Sequence, residues 1–185
     1  MKKILIAVDL QNDFIDGALG TKEAEAIVPA AAARIRECRE EGAEIIATLD
    51  THGEDYMQTR EGKKLPVPHC IRNTEGWQLN PVIREALGDC TLVEKPTFGS
   101  IRLPELVRER IGQETEVTIE LLGLCTDICV VSNALLLKAA FPEADIRVSS
   151  ACCAGVTPEK HRAALETMAS CQIDILQSAT GGYRG

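Results

Sequence analysis

Short apolar runs alternate with amphipathic stretches along this chain, and that alternation restricts it to a mainly parallel α/β sheet. Ile4–Val8, Ala43–Leu49, Thr91–Glu94, Glu116–Leu122, Ala144–Ser149 and Gln172–Leu176 read as strands. Between them, Lys22–Glu41 has Ala-rich helical spacing closed by Gly42, and Leu103–Ile111 is helical. Thr126 is placed to cap a helix from Asp127 to about Ala140. Thr157 is placed to cap Pro158–Ser170, with Pro158 in its first turn. Strands alternating with helices build βαβ units, whose parallel sheet is covered on both faces. The 185 residues suit one domain spanning 1–185. The segment 51–89 breaks the rhythm. It is polar, carries Pro66, Pro68 and Pro81, and shows no long period. An irregular connection of that length is usually functional.

The net charge of -8 argues against a nucleic-acid or acidic-membrane surface, and the 3% aromatic content against a base-stacking platform. The opening apolar run stops at Asp9, too soon for a signal peptide or a membrane span, and no later run is long enough to span. A cytoplasmic protein with reduced thiols is expected. The eight cysteines include no C-x-x-C pair, and most read as small core residues. Cys152 and Cys153 are adjacent, which disfavours an unstrained disulfide between them.

Ligands of a parallel sheet bind beyond the carboxyl ends of its strands. Asp9 falls just past the first strand, Lys95 just past the third, and Cys129 in the first helical turn after the fourth. The topology thus delivers an acid, an amine and a thiol to one rim. A helix N-terminus and a nearby lysine stabilise a thiolate, and a carboxylate accepts the thiol proton. Such a trio makes a nucleophile without histidine. Singly, each residue also has an ordinary reading as a turn residue, a solvated cation or a core thiol. Asp50 and His52 lie two apart on an extended segment, point the same way, and suit one divalent ion. Their ordinary reading is a hydrogen-bonded turn, with His69 merely packed nearby. The third histidine, His161, falls in a helix expected to be exposed and structural.

Asp9-Leu10-Gln11-Asn12-Asp13-Phe14 resembles the DxQNDF opening of the isochorismatase-like hydrolases. Lys95-Pro96-Thr97-Phe98 is similar to their K-x-x-(F/Y) segment, and Gly123-Leu124-Cys125-Thr126-Asp127-Ile128-Cys129-Val130 to their G-x-x-T-D-x-C-V signature. The three motifs occur in family order across nearly the whole chain. The resemblance implies a Rossmann-like three-layer α/β/α fold with a six-stranded, mainly parallel sheet. It implies a triad of Asp9, Lys95 and Cys129. It also implies a cis peptide before Cys125, with the backbone N–H groups of Cys125 and Cys129 serving the oxyanion. The nucleophilic cysteine points to amide or other C–N bond hydrolysis.

Pro68-His69-Cys70, ahead of Thr74-Glu75-Gly76, resembles a nicotinamidase segment, with Asn73 where that segment has Gly. The resemblance implies a zinc, iron or manganese ion held by Asp50, His52, His69 and a fourth side chain. Gln58 stands where the fourth ligand is often His, so Glu61 is the candidate, with Glu54 and Asp55 in reserve. Nicotinamide is then the first expected substrate, bound near Phe14, Leu124, Phe98 and Trp77. The family's usual aromatic before the second metal histidine is replaced by Pro66. N-carbamoyl or ureido compounds are the alternative, for which Arg60, Arg72 and Arg102 are available to hold a carboxylate. A catalytically idle binding or assembly module is the alternative of another class. Self-association as a homo-oligomer is expected from relatives and from the apolar stretch Val130–Ala140.

Overall fold

The computed structural model describes residues 1–177. Six strands form one sheet: β1 (Lys2–Val8), β2 (Glu44–Asp50), β3 (Thr91–Lys95), β4 (Val117–Leu124), β5 (Asp145–Ala154) and β6 (Asp174–Leu176). Their order is β3-β2-β1-β4-β5-β6, and every pairing is parallel. Near-continuous apolar runs suit strands buried on both faces, and Ile4 to Val8 are all buried. Residues 178–185 of the expected domain lie outside the described residues.

The helices are α1 (Asn12–Ile15), α2 (Lys22–Glu40), α3 (Arg60–Lys64), α4 (Pro81–Leu87), α5 (Arg102–Ile111), α6 (Val131–Ala140) and α7 (Pro158–Ser170). α2 packs on α4 and against the sheet, while α6 joins α5 and α7 in a second layer. With right-handed crossovers, the chain winds one way from β1 to β3 and the other way from β4 to β6. The reversal falls between β1 and β4, and a crevice opens beyond their carboxyl ends. Asp9 and Cys129 follow those two strands. Among the described residues no helix is long and apolar enough to cross a membrane.

Three sequence expectations need correction. The 51–89 segment is not irregular throughout: Tyr56–Gln58 form a 3-10 turn, Arg60–Lys64 form α3, and the Asn80 side chain caps α4 at the Val82 N–H, with Pro81 opening the helix. Ile83, Ala86 and Leu87 bury one face of α4, but seven residues are too few to show a period. Thr126 caps nothing. Residues Thr126–Val130 form a π-helical turn ahead of α6, and the Thr126 hydroxyl meets His161 Nδ1 at 2.8 Å. His161 is accordingly half-buried rather than exposed. β5 extends to Ala154, so Cys152 and Cys153 are buried strand residues with free thiols.

Candidate active site

Asp9 leaves β1 in the left-handed region, at φ 48°. Non-glycine residues seldom take this conformation, and those that do cluster at functional sites. The turn aims the carboxylate along the rim, fully buried. Thr48 of β2 donates its hydroxyl to Oδ1 at 2.6 Å, and Lys95 Nζ stands 2.6 Å from Oδ2. The same ammonium donates to Cys129 Sγ at 3.4 Å and to the Thr97 carbonyl at 3.0 Å. Gly123 lets β4 run this close to β1, since a Cβ there would lie 2.1 Å from the Val8 carbonyl oxygen.

Burial dominates the electrostatics. It raises Asp9 above the ordinary carboxylate range, against the pull of Lys95. It presses Lys95 downward, but Asp9, Cys129 and Asp50 overcome it and keep the ammonium charged. Burial first, then Asp9, hold the Cys129 thiol well above its usual value. Burial thus favours the neutral thiol. The expected lowering by a helix N-terminus and lysine does not prevail, because the desolvated sulfur lies against a carboxylate as well as a cation.

The metal-ligand candidates converge beside this trio. Ligand atoms of Asp50, His52 and His69 lie within 4.8 Å of one another, all buried. Asp50 Oδ2 faces His52 Nε2 at 3.0 Å and His69 Nε2 at 3.4 Å, while Oδ1 accepts from Lys95 at 3.3 Å. Glu61 Oε1 is 3.8 Å from both Nε2 atoms. His69 Nδ1 lies 2.9 Å from the Val67 carbonyl, which only accepts, so Nδ1 carries the hydrogen. In the neutral ring Nε2 then presents a lone pair to two carboxylates. Lone pairs so arranged call for a cation between them, and the residues fit a divalent ion. When the histidines instead carry a proton on Nε2, their hydrogen bonds and Lys95 hold Asp50 below the carboxylate range despite burial, whereas burial raises Glu61.

Residues inside the motifs do work that their words did not disclose. Gln11, fully buried, accepts from the Asp50 N–H at 2.7 Å and donates to the carbonyls of Asp50 at 2.9 Å and Trp77 at 2.8 Å. Asp13 accepts the Cys70 N–H at 2.7 Å, and Asn12 donates to the Glu75 carbonyl. The opening motif thus ties both histidine-bearing segments to the end of β1. Asn73 sits at φ 67°, where Asn is the tolerated substitute for Gly.

A cavity of about 300 Å³ opens in front of Cys129, its walls almost wholly apolar. Phe14, Phe98, Leu124 and Cys125 line it, with Asp50, Glu61 and His69 on its metal-ligand side. The Leu124–Cys125 peptide is cis, as the resemblance implied. Trp77 does not line this cavity. Its indole N–H donates to Thr51 Oγ1 at 2.9 Å. Arg60, Arg72 and Arg102 are also absent from its walls. Arg72 pairs with Glu94, and Arg102 lies beside a separate groove along β3. Lys160, which the sequence did not single out, is the cation at this cavity.

An acid, an amine and a thiol beside an apolar cavity, at the switch point of a doubly wound parallel sheet, suit an amide-cleaving hydrolase. The isochorismatase domain model matches residues 3–180, and the chain belongs to that family, in its nicotinamidase-like branch. It is similar to the nicotinamidase of Escherichia coli, 28% identical over 159 residues, covering 72% of this chain and 75% of that protein. The crystal structure of Bacillus subtilis nicotinamidase/pyrazinamidase PncA superposes with a TM-score of 0.80 at 27% identity, covering 96% of this chain and all of that one. Pyrococcus horikoshii pyrazinamidase, crystallised with zinc, gives 0.77 at 29% identity, covering 96% of this chain and all of that one.

Proposed function

We propose that the chain hydrolyses a small heteroaromatic carboxamide, nicotinamide first, through a thioester on Cys129. One observation carries this reading: Lys95 stands at once 2.6 Å from Asp9 and 3.4 Å from Cys129, behind an apolar cavity. Asp9 accepts the thiol proton as the carbonyl carbon approaches, and Lys95 balances the anion that remains. The sulfur adds to the carbonyl, and the N–H groups of Cys125 and Cys129 receive the oxyanion. The C–N bond breaks as Asp9 returns the proton to the departing ammonia. Asp9 then takes a proton from water, which cleaves the thioester to carboxylate and restores the thiol.

Asp50, His52, His69 and Glu61 would hold a divalent cation, zinc by the donor set and by the Pyrococcus relative's structure. When bound it supplies Lewis acidity beside the nucleophile, suited to a ring nitrogen or an attacking water. Phe14 and Phe98 supply apolar faces for a ring, and among the described residues no arginine lines the cavity for the carboxylate of a ureido substrate, Lys160 being the cation at its wall.

The test is ammonia release from nicotinamide, pyrazinamide and an N-carbamoyl amino acid, by metal-loaded wild type and Cys129→Ala. Release from nicotinamide that vanishes in the alanine protein is expected. Full turnover without the sulfur would end the thioester scheme, and release from the N-carbamoyl compound alone would end the substrate assignment.

A further inference from the structure

Asn133 lies one helical turn beyond the nucleophile, on α6, and is fully buried. Its amide makes three hydrogen bonds to backbone. Nδ2 donates to the Cys129 carbonyl at 2.8 Å and to the Phe98 carbonyl at 3.2 Å, while Oδ1 accepts the Ser100 N–H at 2.9 Å. Both donors are used, as a buried amide requires. One partner belongs to the π-helical turn that presents the thiol. The other two bracket the loop after β3, the loop whose Thr97 carbonyl anchors Lys95 Nζ. Gly99, between the two bracketed residues, lies against α6, where a Cβ would meet Leu136 at 2.7 Å and Ser132 at 3.3 Å. Ser132 repeats the device on the turn, donating to the Ile128 carbonyl at 2.6 Å.

From these contacts we infer that Asn133 is a positioning residue for the hydrolysis. It clamps the nucleophile turn to the lysine loop and so keeps the ammonium within reach of the sulfur. It touches neither substrate nor reacting atoms. It acts through Cys129 and Lys95, and the inference rests on the roles proposed for those two residues. A displacement of about 1 Å at a reacting pair lowers rates by up to about a hundredfold.

The experiment uses full-length wild type, Asn133→Ala, Asn133→Thr and, as a control, Leu137→Ala, another fully buried position on α6 with no bond to either segment. Two rates are read well below each melting temperature: carbamidomethylation of Cys129 by iodoacetamide, followed on its peptide by mass spectrometry, and kcat and KM for nicotinamide. In Asn133→Ala the alkylation rate and kcat fall together, by about 10- to 100-fold, while KM moves by less than about threefold. Asn133→Thr keeps only the bond to the turn, because a threonine hydroxyl reaches the carbonyl four residues back, and without the loop bonds both rates fall as in Asn133→Ala. Leu137→Ala lowers the melting temperature and leaves both rates alone. Equal rates in Asn133→Ala and wild type, or the same rate loss in Leu137→Ala, overturn the inference. If Asn133→Ala does not fold, Asn133→Thr decides, since it still lacks the loop bonds and a wild-type rate there removes the clamp. Alkylation needs no substrate, so failure to hydrolyse nicotinamide sinks the substrate assignment and leaves this readout standing.

Discussion

Replacing Thr48 with valine keeps the side chain's shape and removes one hydroxyl. That hydroxyl donates to Asp9 Oδ1 at 2.6 Å where the carboxylate is fully buried. A hydrogen bond to a charged group contributes about 1.5–3 kcal/mol. Its loss falls on the ionised carboxylate more than on the neutral acid, so Asp9 binds its proton more tightly. At about 1.4 kcal/mol per tenfold change, the acid limb of kcat/KM against pH moves up by about one to two pH units. The direction follows because only the ionised carboxylate accepts the thiol proton. Stability carries the same sign. Burial already raises Asp9 above its unfolded value, against Lys95. A group so raised contributes stability that is full below its unfolded value and lost as pH rises through its folded one. Thr48→Val deepens that loss. Its melting temperature falls at neutral pH by roughly 2–4 °C per kcal/mol for a domain of this size, and by less once Asp9 is protonated. Ammonia release from acid to mildly alkaline pH, with melts at both ends, measures both effects. A valine protein that melts lower yet keeps its acid limb in place would remove Asp9 as the base.

His69→Ala abolishes stoichiometric zinc binding and Glu61→Gln weakens it, read by metal content after dialysis and by titration calorimetry; full occupancy in the alanine protein would place the cation elsewhere. Trp77→Phe leaves KM for nicotinamide within about twofold, because the indole meets Thr51 and not the cavity. The lost bond costs about 0.5–1.5 kcal/mol in urea denaturation, and a tenfold rise in KM would return Trp77 to the substrate wall. Asn73→Gly changes stability by only a few tenths of a kcal/mol, whereas Asn73→Val costs about 1–2 kcal/mol, since position 73 is left-handed. Equal stability of the two would contradict that backbone assignment.

Some of this was legible in the chain and some was not, for physical reasons. Asp9 and Lys95 stand at the ends of apolar runs and Cys129 in the turn after another, and parallel strands bring such ends to one rim; that Lys95 reaches Asp9 although β2 separates β3 from β1 was not legible, since it depends on strand order and the length of the lysine. Asp50 and His52 were legible through the two-residue period of an extended segment. Trp77 was misjudged because an aromatic type suggests a substrate wall, while its direction depends on how an irregular loop turns. Gln11 was passed over because its partners at Asp50 and Trp77 are 39 and 66 positions away. The upward push of burial on the thiol was not visible, because charge partners can be read in sequence and desolvation cannot. Thr126 looked like a cap because a cap is local, but the π-helical register and the bond to His161 are set by packing.

The two halves of the site share a single carboxylate. Asp50 gives one oxygen to Lys95 and the other to the two histidines. Lys95 is drawn by three anionic or polarisable groups, Asp9, Asp50 and Cys129, and its charge must be divided among them. A cation held by Asp50, His52, His69 and Glu61 would take up much of the Asp50 charge. Lys95 would then be left to Asp9 and the sulfur, where it would favour the thiolate. Gln11 holds the backbone of Asp50 from both its N–H and its carbonyl side, so this division depends on a side chain that touches neither cation nor thiol. The opening motif thus places Asp9 at one position and, two residues later, sets the geometry of the carboxylate that joins Lys95 to the metal-ligand cluster.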